Sequence, residues 1–126
     1  MNVVDSSGWL EFFGDGPHAE FFSTPLSDAS SLVVPVITVY EVFKRVLLHR
    51  GEGPALEAVA LMQQGEVVEL TSASAISAAR LSLEASLPMA DAIILSTARA
   101  RGATLWTQEA HFEGMDGVKY VSARSD

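Results

Sequence analysis

Short apolar runs alternate with longer segments of helical spacing along most of this chain, and this alternation constrains the fold more than any other feature. A short continuous apolar run bounded by turn signals is typical of a strand that is buried on both faces. Strands separated by helices predict a parallel sheet that helices cover on both faces, because parallel strands need crossover connections. The predicted strands are residues 2–5, 32–34, 66–70, 103–106 and 118–121.

Proline and glycine mark the ends of the predicted helices. Pro17, Pro54 and Pro88 fit first helical turns, and Gly51 and Gly102 fit helix ends. The stretch after the second strand repeats its apolar residues at helical spacing and so forms one apolar stripe. The first predicted helix is capped by Ser6 or Ser7 and ends at residue 13. The other predicted helices are residues 17–22, 37–50, 54–64, 73–85 and 88–101.

The composition bounds the class of protein. A chain of 126 residues with 48% hydrophobic and 19% charged residues predicts one folded domain, residues 1–126, with a real core. No apolar run approaches the length of a transmembrane helix, and the first residues lack the pattern of a signal peptide. The absence of cysteine excludes a disulfide scaffold and a thiolate zinc site. We therefore expect a cytoplasmic protein without a membrane anchor.

The net charge of −8 argues against tight unassisted binding of nucleic acid, because phosphate backbones attract Lys and Arg. It leaves two possibilities open: a bound cation that offsets the acids at a nuclease site, or an acidic surface that attracts a basic partner protein. Candidates for a basic rim around a nucleic-acid site are Lys44, Arg45, Arg99 and Arg101, although each is also a typical solvated helix charge.

Four acids stand where an α/β sheet could gather them. Asp5 ends the first predicted strand and Glu109 lies just past the fourth, and sites in open parallel sheets form outside the carboxyl ends of strands. Glu41 and Asp91 interrupt apolar helical segments, where a carboxylate is unfavourable unless something compensates it. A shared divalent cation would compensate all four.

Each of these acids also has a purely structural interpretation. Asp5 is a good helix N-cap, although neighbouring serines are available for that role. Glu41 precedes Arg45 by four residues, in the order that favours an ion pair along a helix. Asp91 falls in a first helical turn, where the helix dipole favours an anion. Glu109 lies in a segment of charged residues that fits a protein surface.

The chemistry of a carboxylate cluster points to Mg²⁺ or Mn²⁺, hard cations that bridge to phosphate and support phosphodiester hydrolysis. Thr107, at the end of the fourth strand, fits either a helix N-cap or a contact to such a cluster. His18, His49 and His111 lack metal-ligand spacing and are expected on the surface. The glycine-rich cradles of nucleotide-binding proteins and the nucleophile elbow of hydrolases are absent from the sequence.

Four blocks of this sequence, residues 3–7, 38–42, 87–94 and 105–112, resemble the signature blocks of PIN domains, and in particular the VapC toxins of bacterial toxin–antitoxin pairs. The resemblance covers essentially the whole chain. It implies an α/β/α sandwich around a mainly parallel sheet of four to five strands, and an endoribonuclease that depends on Mg²⁺ or Mn²⁺. It also implies a homodimer that a cognate antitoxin silences.

Carried over by position, the resemblance makes Asp5 and Asp91 the principal metal ligands. Glu41 would complete the ligand set, Glu109 would stand where the family has its last acid, and Thr107 would match the hydroxyl residue before that acid. This chain departs from the family pattern at two positions, which put a second metal position in doubt. The family usually has Asp at the position of Glu109, and a second acid is common at the position of the histidine two residues later.

The alternative is a catalytically weak PIN-like module that acts mainly by binding a protein partner. In that case an aromatic cluster near the N-terminus would form an exposed apolar groove, whereas in an ordinary domain the same rings would belong to the core. The cluster consists of Trp9, Phe12, Phe13, Phe21 and Phe22.

Overall fold

The structure, a computed structural model that describes residues 1–123, contains five strands and six helices within that range. The strands are β1 (Asn2–Val4), β2 (Val33–Pro35), β3 (Glu66–Val68), β4 (Thr104–Thr107) and β5 (Val118–Tyr120). The helices are α1 (Ser6–Phe13), α2 (Ala19–Leu26), α3 (Val36–Arg50), α4 (Glu52–Met62), α5 (Ser72–Ala85) and α6 (Met89–Ala100). Two 3₁₀ turns, Ala29–Ser31 and Ala110–Phe112, complete the described elements.

The strands are all parallel and their order places β1 at the centre. One sheet has the order β1-β4-β5, and a second sheet pairs β2 with β3. A single parallel bridge between Asn2 and Leu32 joins the two sheets. The strand order across the sheet is therefore β3-β2-β1-β4-β5. Chain order runs one way from β1 to β3 and the other way from β4 to β5, so the switch point, where parallel sheets form their sites, lies between β1 and β4. The predicted fold class is confirmed, with the refinement that the five strands hydrogen-bond as three plus two.

Two hydrophobic clusters lie on opposite faces of the strands, because successive side chains of a strand alternate between faces. Val4, Val34 and Trp106 belong to the cluster that contains buried residues of helices α1 to α4. Their neighbours Val3, Val33 and Leu105 belong to the cluster that packs against α6, with residues of α5 at its edge. This division is the α/β/α sandwich that the resemblance implies.

Gly8 permits the close packing of α1 on the sheet. A Cβ atom at this position would lie 2.6 Å from side-chain atoms of both Val4 and Phe22. The absence of a side chain at residue 8 thus fixes how near the first turn of α1 comes to the end of β1. That turn is one wall of the candidate site at the carboxyl ends of β1 and β4.

Most predicted boundaries differ from the structure by one to four residues, and three of these differences lie near the start of the chain. The first strand ends at Val4, and Asp5 is the N-cap of α1. The second helix begins at Ala19 and continues to Leu26, beyond the predicted residue 22. The predicted strand at residues 32–34 is observed as Val33–Pro35, and Pro35 is also the N-cap of α3.

Within residues 1–123, no single helix has the length and apolar content to cross a membrane. Helices α5 and α6 meet that criterion only when taken together, and they are bent by 112° relative to each other.

Candidate active site at the carboxyl ends of β1 and β4

Strand register brings Asp5 beside Thr107. Val4 pairs with Trp106, and the Asp5 N–H donates to the Trp106 carbonyl at 3.2 Å. Asp5 and Thr107 each follow these paired residues, so their side chains emerge at neighbouring points of the same sheet edge. The sequence prediction that the ends of the first and fourth strands lie together is confirmed.

Three donors enclose the Asp5 carboxylate. Oδ1 accepts from the Ser7 hydroxyl at 2.8 Å and from the Gly8 N–H at 2.9 Å, and Oδ2 accepts from the Thr107 hydroxyl at 2.5 Å. The prediction that Ser6 or Ser7 caps α1 and frees Asp5 is wrong, because Asp5 itself is the N-cap. Oδ1 caps helix α1 and Oδ2 is bonded to Thr107 of β4, so the Asp5 carboxylate links the start of the helix to the sheet.

Burial sets the charge state of Asp5. The residue is only 3% exposed, and this desolvation raises its pKa from 3.8 to about 6, since a charged group is poorly stabilised away from water. The hydrogen bonds from Thr107, Gly8 and Ser7 oppose the rise, and the nearby Asp91 carboxylate adds to it. Asp5 is thus a carboxylate whose negative charge is incompletely compensated by the protein.

Thr107 links Asp5 to the segment that follows β4. It is fully buried, its hydroxyl donates to Asp5, and the same oxygen accepts the Glu109 N–H at 2.8 Å. Of the two roles considered from sequence, the structure shows the contact to the acid; Glu109, not Thr107, caps the turn Ala110–Phe112. Thr107 therefore orients Asp5 and also fixes the backbone at Glu109.

Asp91, Glu109 and His111 form a second group at this edge. Asp91 lies in the first turn of α6, as predicted. The His111 Nδ1–H donates to Asp91 Oδ2 at 2.8 Å, and the same nitrogen lies 3.3 Å from Glu109 Oε1. Burial raises the pKa of Asp91, and the His111 hydrogen bond opposes that rise. The same bond raises the pKa of His111, because it favours the charged imidazolium.

His111 is a residue of this group that the sequence did not predict as part of the site. Histidine spacing alone predicted a surface position, and its side chain is indeed 52% exposed. It is nevertheless bonded to two of the predicted site acids. The signal that could have identified it was its place within residues 105–112, at a position where the resemblance expects an acid.

Glu41 contacts the start of α1. Its Oε1 accepts the Ser6 hydroxyl at 2.5 Å, and Ser6 directly follows Asp5 in the chain. Among residues 1–123 no ion pair links Glu41 to Arg45, so the structural interpretation of Glu41 as a helix ion pair is wrong. The structure thus brings Asp91 and Glu109 together through His111, and attaches Asp5 and Glu41 to adjacent residues at the start of α1.

The donor set fits a hard divalent cation. Within residues 1–123, no group of three His, Asp or Glu side chains is placed to hold a metal ion. Mg²⁺, however, is commonly held by one or two carboxylates with water completing its shell. Asp5 and Asp91 are neighbouring carboxylates whose pKa values burial raises, and Asp5 Oδ2 accepts one hydrogen bond where an ionised oxygen has room for two. A cation would compensate both charges.

The comparisons with known proteins agree with this architecture. Residues 3–118 match the family model described as PIN domain. The chain belongs to the PIN domain family. A comparison with curated proteins gave no match.

Solved structures share the PIN fold over nearly their whole length. A toxin–antitoxin complex from Klebsiella pneumoniae matches with a TM-score of 0.80 and 20% identity, over 94% of this chain and 96% of that chain. Mycobacterium tuberculosis VapC20, described as a Sarcin-Ricin loop cleaving toxin, gives 0.77 and 14%, over 92% and 95%. DNA-bound VapBC from Salmonella typhimurium gives 0.70 and 19%, over 97% and 98%.

The predicted basic rim of this PIN domain makes other contacts. Arg101 pairs with Glu66 at 2.6 Å, and Arg99 donates to the Asp116 carbonyl at 3.2 Å. Lys44 lies 5.6 Å from the centre of the Tyr40 ring. These contacts match the alternative interpretation of solvated helix charges, and the role of these residues toward a substrate stays a prediction.

The aromatic cluster of this PIN domain lies mainly in the core. Trp9 and Phe22 are buried, and Phe12, Phe13 and Phe21 are half-buried against the same hydrophobic cluster. The groove near them is formed between α1, α3 and α4 and has a volume of about 410 Å³. Its lining includes the apolar side chains Leu10, Phe13, Val46 and Leu61 and the basic side chains Arg45 and Arg50.

Proposed function

We propose that this chain is a single-domain, metal-dependent endoribonuclease and the toxin of a VapBC-type toxin–antitoxin pair. The observation that carries the proposal is the Asp5 carboxylate, buried at the switch point of a PIN fold and adjacent to Asp91. Retaining a poorly compensated buried acid is unfavourable for stability, which favours a functional role for it. A structural neighbour described as a Sarcin-Ricin loop cleaving toxin supports RNA as the substrate class.

The protein groups have distinct proposed roles. Asp5 and Asp91 would hold Mg²⁺ or Mn²⁺, with Glu41 and Glu109 completing the acidic surroundings. A bound cation of this kind supplies Lewis acidity for phosphodiester hydrolysis and screens the acids from the substrate phosphate. Thr107 holds Asp5 in place through its hydroxyl, and Ser6 orients Glu41 in the same way.

The decisive experiment is cleavage of a mixed RNA pool by purified, antitoxin-free protein with Mg²⁺, Mn²⁺ or EDTA. Asp5→Asn and Asp91→Asn should each reduce metal-dependent cleavage by at least about a hundredfold, since loss of a ligand costs more than loss of its supporting groups. Asp15→Asn makes the same chemical change at an exposed position and should leave cleavage unchanged. Full activity of Asp5→Asn would contradict the assignment of the site.

We propose a cognate antitoxin as the protein partner of this chain. The groove between α1, α3 and α4 combines apolar walls with the exposed cations Arg45 and Arg50, which suits an amphipathic segment that also carries acidic groups. Structural neighbours solved as toxin–antitoxin complexes support this kind of partner. Co-expression with a small protein encoded beside this chain, followed by size-exclusion chromatography, should give a complex that Leu61→Glu weakens. We also propose that the protein and this antitoxin act in the cytoplasm.

We also propose a homodimer formed through the outer face of α5 and α6. An apolar groove of about 550 Å³ lies between these helices, and Leu83 and Met89 on its wall are mostly exposed. Exposed apolar side chains clustered in this way commonly mark an interaction surface. Light scattering of the purified protein should show a dimer, and Leu83→Lys should shift it toward the monomer.

The rival function, a catalytically weak module that binds a partner protein, has one observation in its favour. His111 is bonded to Asp91 and Glu109, the acids that would otherwise face a metal. Wild-type protein that folds, binds its partner and yet leaves the RNA pool intact in every metal tested would favour this rival.

A further inference from the structure

Tyr40 carries the one exposed aromatic ring within residues 1–123. Its side chain is 60% exposed, whereas every other aromatic side chain in that range is buried or half-buried. A single exposed apolar group is common on a protein surface, so the place of this ring in the fold decides whether it has a role.

The fold places Tyr40 at the sheet edge that carries the candidate site. Helix α3 begins directly after β2, which lies beside β1, so the first turns of α3 lie at the carboxyl ends of the strands. The residue after Tyr40 is Glu41, which accepts the hydrogen bond of Ser6, and Ser6 directly follows Asp5. Helix side chains tilt toward the N-terminus of their helix, so Tyr40 leans toward this edge. The exposed ring therefore stands beside the candidate site.

Lys44 adds a cation next to the ring. It lies one turn further along α3, and its Nζ is 5.6 Å from the centre of the Tyr40 ring. Lys44 is exposed, and no salt bridge among the described residues joins it to a carboxylate. Its ammonium group therefore has N–H donors for a phosphate. An aromatic face combined with a phosphate-binding cation is the means by which proteins hold single-stranded nucleic acid.

The charge balance of the chain makes such a ring useful. With eight Lys and Arg residues and a net charge of −8, the protein as a whole attracts phosphate backbones weakly. Two of the four predicted rim cations are already engaged, Arg101 by Glu66 and Arg99 by the Asp116 carbonyl. Stacking of a base on an aromatic ring does not require charge, and every base has a π face. Tyr40 would therefore supply affinity for RNA that the charges do not.

We propose that Tyr40 and Lys44 form a binding site for one nucleotide of single-stranded RNA, in which the Tyr40 ring stacks on the base and Lys44 contacts a neighbouring phosphate. The inference rests on the proposed function, since it takes RNA as the substrate, and adds to it the strandedness of that RNA and two residues that hold it. A base within a duplex is stacked on its neighbours and cannot lie on the ring, so this site selects unpaired nucleotides. RNA binding can be measured separately from RNA cleavage.

Fluorescence anisotropy of a short, labelled single-stranded RNA of mixed sequence, measured in EDTA to prevent metal-dependent cleavage, tests the stacking. Tyr40→Ala should weaken binding by about tenfold, the effect expected for the loss of one base–aromatic stack. Tyr40→Phe keeps the ring and should bind like wild type, whereas Tyr40→Leu keeps only apolar bulk and should bind like Tyr40→Ala. Leu48→Ala is the matched control, since Leu48 is 75% exposed on the same side of α3, two turns further on. Circular dichroism should show that all these variants fold, because both side chains are exposed.

Salt dependence separates the roles of the two residues. For single strands the slope of log affinity against log salt changes by about 0.7 for each phosphate contact. Lys44→Gln should make the slope shallower by about that amount, and Tyr40→Ala should lower the affinity at every salt concentration without changing the slope. The same RNA annealed to its complement should bind more weakly than the single strand and should not respond to Tyr40→Ala.

The outcomes distinguish this inference from the proposed nuclease. Unchanged RNA binding by Tyr40→Ala, an equal loss in Leu48→Ala, or wild-type protein that binds no single-stranded RNA would overturn the inference and leave the proposed nuclease to its own cleavage assay. A Tyr40→Ala variant that loses RNA binding together with a change of mass in light scattering would also overturn it, because Tyr40 would then be a contact between copies of the chain. Binding that depends on Tyr40 as expected, by a protein that cuts RNA in no metal, would support the inference and contradict the nuclease.

Discussion

Asp5 and Asp91 carry the same functional group, yet the protein surrounds them differently. Asp5 is 3% exposed and accepts hydrogen bonds from three donors, two of which belong to α1 and one to β4. The Asp91 side chain is 19% exposed and is bonded to His111, a residue of a short turn. The first acid is positioned by strand register and a helix start, and the second by a side chain that water reaches.

This difference teaches which part of the site is preorganised. Moving Asp5 would disturb the β1–β4 pairing, the cap of α1 and the contact to Thr107 at once. Moving His111 away from Asp91 breaks an exposed ion pair, whose loss is worth little in free energy. We therefore expect substitutions to have large effects on the Asp5 side and small effects on the Asp91 side.

The largest effect on stability is expected from Asp5→Asn in metal-free protein. The folded-state pKa of Asp5 is raised to about 6 from 3.8, so its ionisation opposes folding above that pH by about 3 kcal/mol. The stabilising effect of the proton is complete below pH 3.8 and is lost as the pH rises through about 6. Asparagine is an equally good N-cap and stays neutral. The variant should be more stable than wild type at pH 8, and this advantage should vanish near pH 4.

Urea unfolding of both proteins in EDTA across that pH range measures the difference, and acid effects common to both proteins cancel in the comparison. Asp15→Asn should show no such trend, because Asp15 is exposed. An Asp5→Asn variant that is less stable than wild type at every pH would mean that the three hydrogen bonds compensate the charge fully.

Thr107→Val should have the next largest effect. Valine nearly matches the shape of threonine but leaves Asp5 Oδ2 and the Glu109 N–H without the buried hydroxyl that each contacts. Unmet buried polar groups of this kind destabilise by about 2 kcal/mol. Thr107→Ser keeps the hydroxyl and removes one methyl group, which should cost only about 1 kcal/mol. Equal losses of stability in the two variants would show that packing, not hydrogen bonding, determines the contribution of Thr107 to stability.

The Asp5 side of the site was largely predictable from sequence, although Asp5 and Thr107 are 102 positions apart, because the order of strands and helices predicts which strand ends lie at one edge of the sheet. A strand that ends in an acid, a second strand that ends in a hydroxyl residue and helices between them place Asp5 and Thr107 at one edge. The cap of α1 was assigned wrongly because Asp, Ser and Ser at residues 5–7 all accept hydrogen bonds from helix N–H groups. Only the backbone conformation decides among them.

The Asp91 side was less predictable, because its contacts come from the side chain of a short turn, whose position no strand register determines. His111 meets Asp91 across twenty positions, and nothing in local spacing indicates that a turn after β4 reaches the start of α6. Glu41 illustrates the same limit. Local spacing favoured an ion pair between Glu41 and Arg45. In the structure the Glu41 carboxylate instead accepts a hydrogen bond from Ser6, which is thirty-five positions away.

Ser6→Ala tests the connection between the two sides of the comparison. Removing the hydroxyl frees the Glu41 carboxylate from the start of α1, and loss of a part-buried hydrogen bond destabilises by about 1 kcal/mol. RNA cleavage should fall by more than that stability change explains, because Glu41 loses its orientation. Ser23→Ala, which removes an exposed hydroxyl bonded only to its own helix, is the matched control. Unchanged cleavage by Ser6→Ala would exclude Glu41 from the proposed site.

His111→Gln should give the smallest effect on stability, less than about 0.5 kcal/mol, because the ion pair is exposed and water screens it. The pKa of His111 is raised by Asp91, so whatever stability it contributes is present below its ordinary pKa of 6.5 and is lost as the pH rises through its higher folded value. The variant should therefore be slightly less stable than wild type at pH 5.5 and equal to it at pH 9. Salt should reduce the difference further. A loss of 2 kcal/mol or more in urea unfolding would place His111 among the preorganised residues and remove the contrast with Asp5.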